Sequence, residues 1–78
     1  MKKIDKDILN LMNSGIGNAP KLADKLNRRS TTINRRLRSL EKFDYIKHIG
    51  YSNNKKGRPA YLWELTPKGN RKVGDINE

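Results

Sequence analysis

No cysteine occurs in this 78-residue chain, which excludes both a disulfide framework and a thiolate metal site. Histidine is almost missing too. His48 stands alone, beside Lys47 in a predicted strand, with no nearby carboxylate pattern. A lone histidine so placed is read as structural or exposed. No phosphate-cradling loop is present, because Gly15-Ile16-Gly17 is too short and follows no strand. Catalysis therefore has little to work with. No enzyme activity, cofactor or metal site is expected.

Long apolar runs are also lacking. None approaches the ~18 residues of a membrane span, and no apolar signal region follows Met1-Lys2-Lys3. A cytoplasmic protein with no membrane partner is expected. Hydrophobic residues form only 33% of the chain and charged residues another 33%. A chain this short buries roughly 60% of its unfolded surface, so one marginal domain is the limit.

Acid is the scarcest charge. Eight Asp and Glu face eighteen Lys and Arg, a net of +10. The excess is concentrated. Residues 28–58 hold ten basic side chains against Glu41 and Asp44, which is +8 of that total. A basic patch of this density is the footprint expected for a polyanion partner.

Periodicity supplies the elements. Ile4, Ile8, Leu11 and Met12 recur at helical spacing, predicting a helix from about Asp5 to Asn13, with Asp5 and Asp7 favoured in its first turn. Asn18-Ala19-Pro20 is a helix start, and Leu22, Ala23 and Leu26 form the stripe of a second helix. Ser30 is the expected cap of a third, whose stripe is Ile33, Leu37 and Leu40, closed by Phe43. Asp44 should end it, since Asp tolerates the left-handed conformation better than most residues.

The period then changes. Residues 45–52 and 60–65 are rich in aromatic and β-branched residues and flank the polar "NNKKGRP". That pattern predicts a β-hairpin, with Pro59 just outside the second strand. Tyr45, Ile46, Ile49, Tyr51, Tyr61, Trp63 and Leu65 should give it an apolar face, with the aromatics in the core. Thr66-Pro67 looks like the start of a short last helix, from Pro67 to Val73, weakened by Gly69 and Gly74. One domain over 1–74 and a frayed tail over 75–78 are expected.

The order is helix, helix, turn, helix, hairpin, helix. The stretches "KLADKLNRRSTTINRRLRSLEK" and "KKGRPAYLWELTPKG" together resemble small bacterial and archaeal winged helix-turn-helix regulators of the MarR, ArsR and PadR kind. The resemblance covers roughly residues 5–70. It implies a mainly α chain with a small β-hairpin: three helices, a wing and a short C-terminal helix. Two departures stand out. Asp44 replaces the usual glycine after the recognition helix, and the long C-terminal dimerisation helix of larger relatives is nearly absent.

The residues support a matching mechanism. At about 100° per residue, Leu37 and Leu40 fall near Ile33 on the inward side, and Arg35 lies nearly opposite. Thr31, Thr32, Asn34, Arg35 and Arg38 are the candidate base readers, with Arg38 equally suited to a phosphate. Arg28, Arg29, Ser30, Ser39 and Lys42 are candidate phosphate contacts. Arg36 points toward the core flank, where it can pack on Phe43 or pair with an acid. Lys55, Lys56 and Arg58 form the tip of the wing, residues 53–59, on the backbone or in a narrow minor groove.

Sequence-specific binding of double-stranded DNA is thus expected, with residues 31–42 in the major groove and transcription regulated by occupying a promoter. The bound protein would be nucleoid-associated. The alternatives are a winged-helix RNA-binding or ribosome-associated protein, a nonspecific architectural DNA binder and, less favoured by the charge, a protein-interaction module. A homodimer is a further possibility, through the first helix or the segment around Val73 and Ile76. No small-molecule ligand is evident.

Overall fold

The structure is a computed structural model. It describes the backbone of residues 2–53 and 59–76 and the side chains of residues 2–50 and 61–76. The elements run α1 (Lys3–Asn13), α2 (Ala19–Leu26), α3 (Ser30–Lys42), β1 (Ile46–Asn53), β2 (Pro59–Leu65) and α4 (Pro67–Ile76). This is the α+β winged-helix order read from the sequence.

Each of the first three helices contributes one apolar stripe to a shared core. Ile8, Leu9 and Met12 come from α1, Leu22 and Ala23 from α2, and Ile33, Leu37 and Leu40 from α3. Ile46, Trp63 and Val73 close the cluster from the hairpin and α4. Val73 is therefore core, and not part of a dimerisation surface. Ile76 also packs against the core, half-buried. The Trp63 indole Nε1 is buried with no hydrogen-bond partner among the described residues.

The same turn ends α1, α2 and α3. Gly15, Asn27 and Asp44 all adopt positive φ, at 99°, 54° and 65°. In each turn the residue that follows donates its N–H back five positions: Ile16 to Leu11, Arg28 to Ala23, Tyr45 to Leu40. This is the Schellman closure, which normally takes glycine at the left-handed position. Asp44 holds that position without glycine, as its residue type allows.

Several boundaries differ from the sequence-based expectation. Arg29, not Ser30, occupies the cap position of α3: its backbone is extended and its carbonyl accepts from the Ile33 N–H at 3.1 Å. Ser30 is thus the first helical residue. Phe43 is 61% exposed and does not close the buried face: at about 100° per residue it falls about 80° from Ile33, at the edge of the stripe. Pro59 begins β2, opposite Asn53. A strand's first residue is a position proline tolerates. α1 starts earlier, at Lys3, and α4 runs past Val73 to Ile76. Residues 77 and 78 of the expected tail lie outside the described residues.

The two strands are antiparallel, with a register irregularity at Ile49 between His48 and Gly50. Ile49 alternates with Ile46 and His48, falls on the Lys47 side of the strand and is 52% exposed, off the apolar face expected for it. The Gly17-Asn18 link lies along the other edge of β2, through an isolated bridge from Asn18 to Leu62 and a Trp63 N–H donated to the Gly17 carbonyl at 2.9 Å.

α4 is fastened at its start. The Thr66 hydroxyl donates to the Asp44 carbonyl and accepts from the Gly69 N–H at 3.0 Å. Thr66 N–H also donates to the Tyr45 carbonyl at 3.0 Å. Gly69 sits so close to Tyr45 that a Cβ there would collide with the Tyr45 carbonyl oxygen. Gly74, in the same helix, faces open space. Gly69→Ala is therefore expected to destabilise by about 2–3 kcal/mol, since backbone must move. Gly74→Ala is expected to stabilise by about 0.5–1 kcal/mol through helix propensity. Urea unfolding of the two variants checks the opposite signs.

Candidate nucleic-acid interface

α3 divides its side chains sharply. Ile33 and Leu37 are fully buried. Thr31, Thr32, Arg35 and Arg38 are exposed and Asn34 is half-buried. Thr31, Asn34, Arg35 and Arg38 line one shallow hollow on the outer surface. Four of the five expected base readers thus converge on a single strip, and Thr32 is exposed on the same first turn.

Arg28 and Arg29 are exposed in the turn between α2 and α3. The Arg29 side chain makes no capping hydrogen bond to α3. The first N–H groups of α3 lack an intrahelical acceptor by construction, and such a terminus favours an anion. Ser30 is exposed at the same end. Ser39 is half-buried and lies apart from the outer strip, beside Arg36, Phe43 and Lys72. Lys42 is exposed and lines a separate cleft with Asn34 and Arg38. Lys55, Lys56 and Arg58 lie outside the described residues.

Arg36 behaves differently from its neighbours. Its guanidinium grips Asp5 with two hydrogen bonds, Nε to Oδ1 at 2.8 Å and Nη2 to Oδ2. The side chains are 22% and 7% exposed. The hydrogen bond to Asp5 holds Arg36 above its usual pKa, against the opposing effect of burial. Arg36 stays charged at any working pH and ties α3 to the first turn of α1. By sequence alone Asp5 is explained only by the helix dipole. Nothing local links two residues 31 positions apart.

The cleft between α3 and the hairpin has no signature in the sequence. Asn34, Arg38 and Lys42 form its helical wall and His48, Tyr61 and Trp63 its strand wall, with Glu41 also present. The alternation of the strands explains the wall. Ile46, His48, Trp63 and Tyr61 share the face turned toward α3, while Lys47 and Glu64 pair at 3.0 Å on the other. Near the turn into α4 that face is core. Further out it lines the cleft, and Tyr61 is 40% exposed.

Among the described residues no group of three or more His, Cys, Asp and Glu could hold a metal ion, and no helix is long and apolar enough to cross a membrane.

The sequence matches no known family model and no curated protein. Solved structures do resemble it. A variant of Lactococcus lactis ZitR is 23% identical, with a TM-score of 0.82 over 99% of this chain and 51% of that one. ZitR is described as a zinc-responsive MarR family member. The transcriptional regulator BldR from Sulfolobus solfataricus is 22% identical, with a TM-score of 0.83 over 99% of this chain and 53% of that one. A MepR variant from S. aureus is 19% identical, with a TM-score of 0.83 over 99% and 55%. The chain spans about half the length of these proteins. At this level of identity the likeness is one of fold, and the fold of this chain is the winged helix-turn-helix of MarR-type regulators.

Proposed function

We propose that this protein binds double-stranded DNA sequence-specifically and regulates transcription by occupying its site. The observation that carries the reading is the exposed strip of α3. Thr31, Asn34, Arg35 and Arg38 share one hollow on the outer surface of a helix whose other face is anchored in the core. Arg and Asn offer bidentate hydrogen bonds to guanine and adenine, and Thr offers a methyl to thymine. The net charge of +10 supports a polyanion partner, and the regulators that share the fold support the class.

On this reading α3 enters the major groove. Arg28, Arg29, Ser30 and Lys42 hold phosphates, while Ser39, on the Arg36 flank, is left out of the interface; Lys55, Lys56 and Arg58 reach the backbone or minor groove from the wing. Pairing of two copies on a palindromic site follows the general habit of such domains.

Arg35→Ala is expected to weaken specific binding by about 1–3 kcal/mol and to relax discrimination at one base position. Titration against a panel of single-base variants of the preferred duplex measures both. A uniform loss across the panel would make Arg35 a phosphate clamp instead. Replacing Lys55, Lys56 and Arg58 with alanine is expected to flatten the salt dependence, by about one unit of slope for each phosphate left unneutralised. An unchanged slope in the same titration would exclude wing contact. Preference for RNA over duplex DNA in a direct competition would favour the winged-helix RNA-binding class.

A further inference from the structure

We infer that the cleft between α3 and the hairpin seats a backbone phosphate of the bound duplex, and that His48 and Tyr61 are contacts of its strand wall. This rests on the DNA-binding reading and extends it to residues outside the α3 strip and the wing tip.

The geometry carries the inference. Arg38 and Lys42 approach the cleft from α3, and His48 and Tyr61 face them from the hairpin. His48 packs edge-on against Tyr61 and Trp63, with ring centroids 5.2 Å and 5.3 Å away. Trp63 is buried and the imidazole is exposed. The imidazole is thus held against a fixed wall with one side toward the cleft. The bulge at Ile49 follows directly, so the pairing of His48 with Trp63 sets its direction before the strand turns. A cleft with cations on one wall and an imidazole and a phenol on the other suits a phosphodiester oxygen, which only accepts hydrogen bonds.

The charge balance makes position 48 a sensitive place to test. Among the groups lining the cleft, Arg38 and Lys42 stand against Glu41, leaving one net positive charge. Lys47 and Glu64, on the other face of the hairpin, neutralise each other as a pair. A fixed cation placed at position 48 would double the charge facing the phosphate and add about one counterion of salt dependence.

The test uses a fluorescein-labelled duplex of mixed sequence and the full chain. Affinity is measured against salt for the wild type, His48→Lys, His48→Ala and Tyr61→Phe. His48→Lys should steepen the slope by about one. His48→Ala and Tyr61→Phe should each weaken binding by about 3–10-fold, the loss of one hydrogen bond to the phosphate. Thermal unfolding of each variant verifies that the exposed positions tolerate the change. Tight duplex binding with the wild-type slope in His48→Lys overturns the inference and leaves DNA binding standing. So does wild-type affinity in both His48→Ala and Tyr61→Phe. Failure of the wild type to bind duplex at low salt overturns the DNA-binding reading and the inference with it.

Discussion

Arg36→Ala is expected to cost about 2–4 kcal/mol of stability while leaving the salt dependence of DNA binding unchanged. Removing one partner of a buried ion pair strands the other, which typically costs about 3–5 kcal/mol; the partial exposure of Arg36 lowers the figure here. Asp5 is the stranded group, at 5% exposure in the first turn of α1. Replacing both partners with apolar residues, Asp5→Leu with Arg36→Met, should be close to neutral, because no buried charge remains. Urea unfolding of the two single variants and the double closes the cycle. A double variant as unstable as the worse single would mean the pair contributes more than its own desolvation. A shallower salt slope in Arg36→Ala would mean that Arg36 touches phosphate.

The opposite outcome is expected a few positions away. Replacing Arg28, Arg29, Arg35 and Arg38 together with alanine should abolish tight DNA binding and reduce the salt slope by about 2–3, one unit for each phosphate left unneutralised by Arg28, Arg29 and, where it clamps the backbone, Arg38. All four are exposed, and surface substitutions of this kind usually change stability by less than about 0.5 kcal/mol each. Binding and folding should therefore separate: Arg36 acts on stability alone, and these four arginines on binding alone. Fluorescence anisotropy across a salt series, with unfolding curves beside it, measures both properties. A quadruple variant that keeps the full slope would move the interface off α3.

The stripe of Ile33, Leu37 and Leu40 is legible in the sequence because helical period and apolar character coincide. The left-handed turn at Asp44 is legible because few residue types accept it. The hairpin follows from the change of period and the polar loop. Each of these signals is local. What cannot be read is tertiary. The tie from Asp5 to Arg36 joins residues from opposite ends of the three-helix unit. Gly69 looks like a weakness of α4, and is instead the place where its backbone meets Tyr45. Phe43 follows Leu40 at helical spacing, yet it stands at the edge of the stripe and at the end of α3, and is exposed.

The candidate site divides the same way. The outer strip of α3 comes directly from geometry at the helical period. The strand wall does not. His48 and Tyr61 fall on the same face as Ile46 and Trp63; the sequence pattern puts Tyr61 in the core with those two and leaves His48 as structural or exposed. Only the reach of the hairpin beyond α3 turns the outer two toward solvent. Ser39 sits near Arg35 on a helical projection, but in the fold it lies beside Arg36 and Lys72.

The most direct test of sequence-specific binding through α3 is selection of sites by the intact protein from a random duplex library at physiological ionic strength. An enriched motif is predicted, with one position losing its preference when the selection is repeated with Arg35→Ala. A palindromic motif with half-sites about one helical turn apart would add that two copies bind together. Tight, salt-sensitive binding with no enriched motif would contradict a reading role, because α3 would then hold DNA without discriminating its bases.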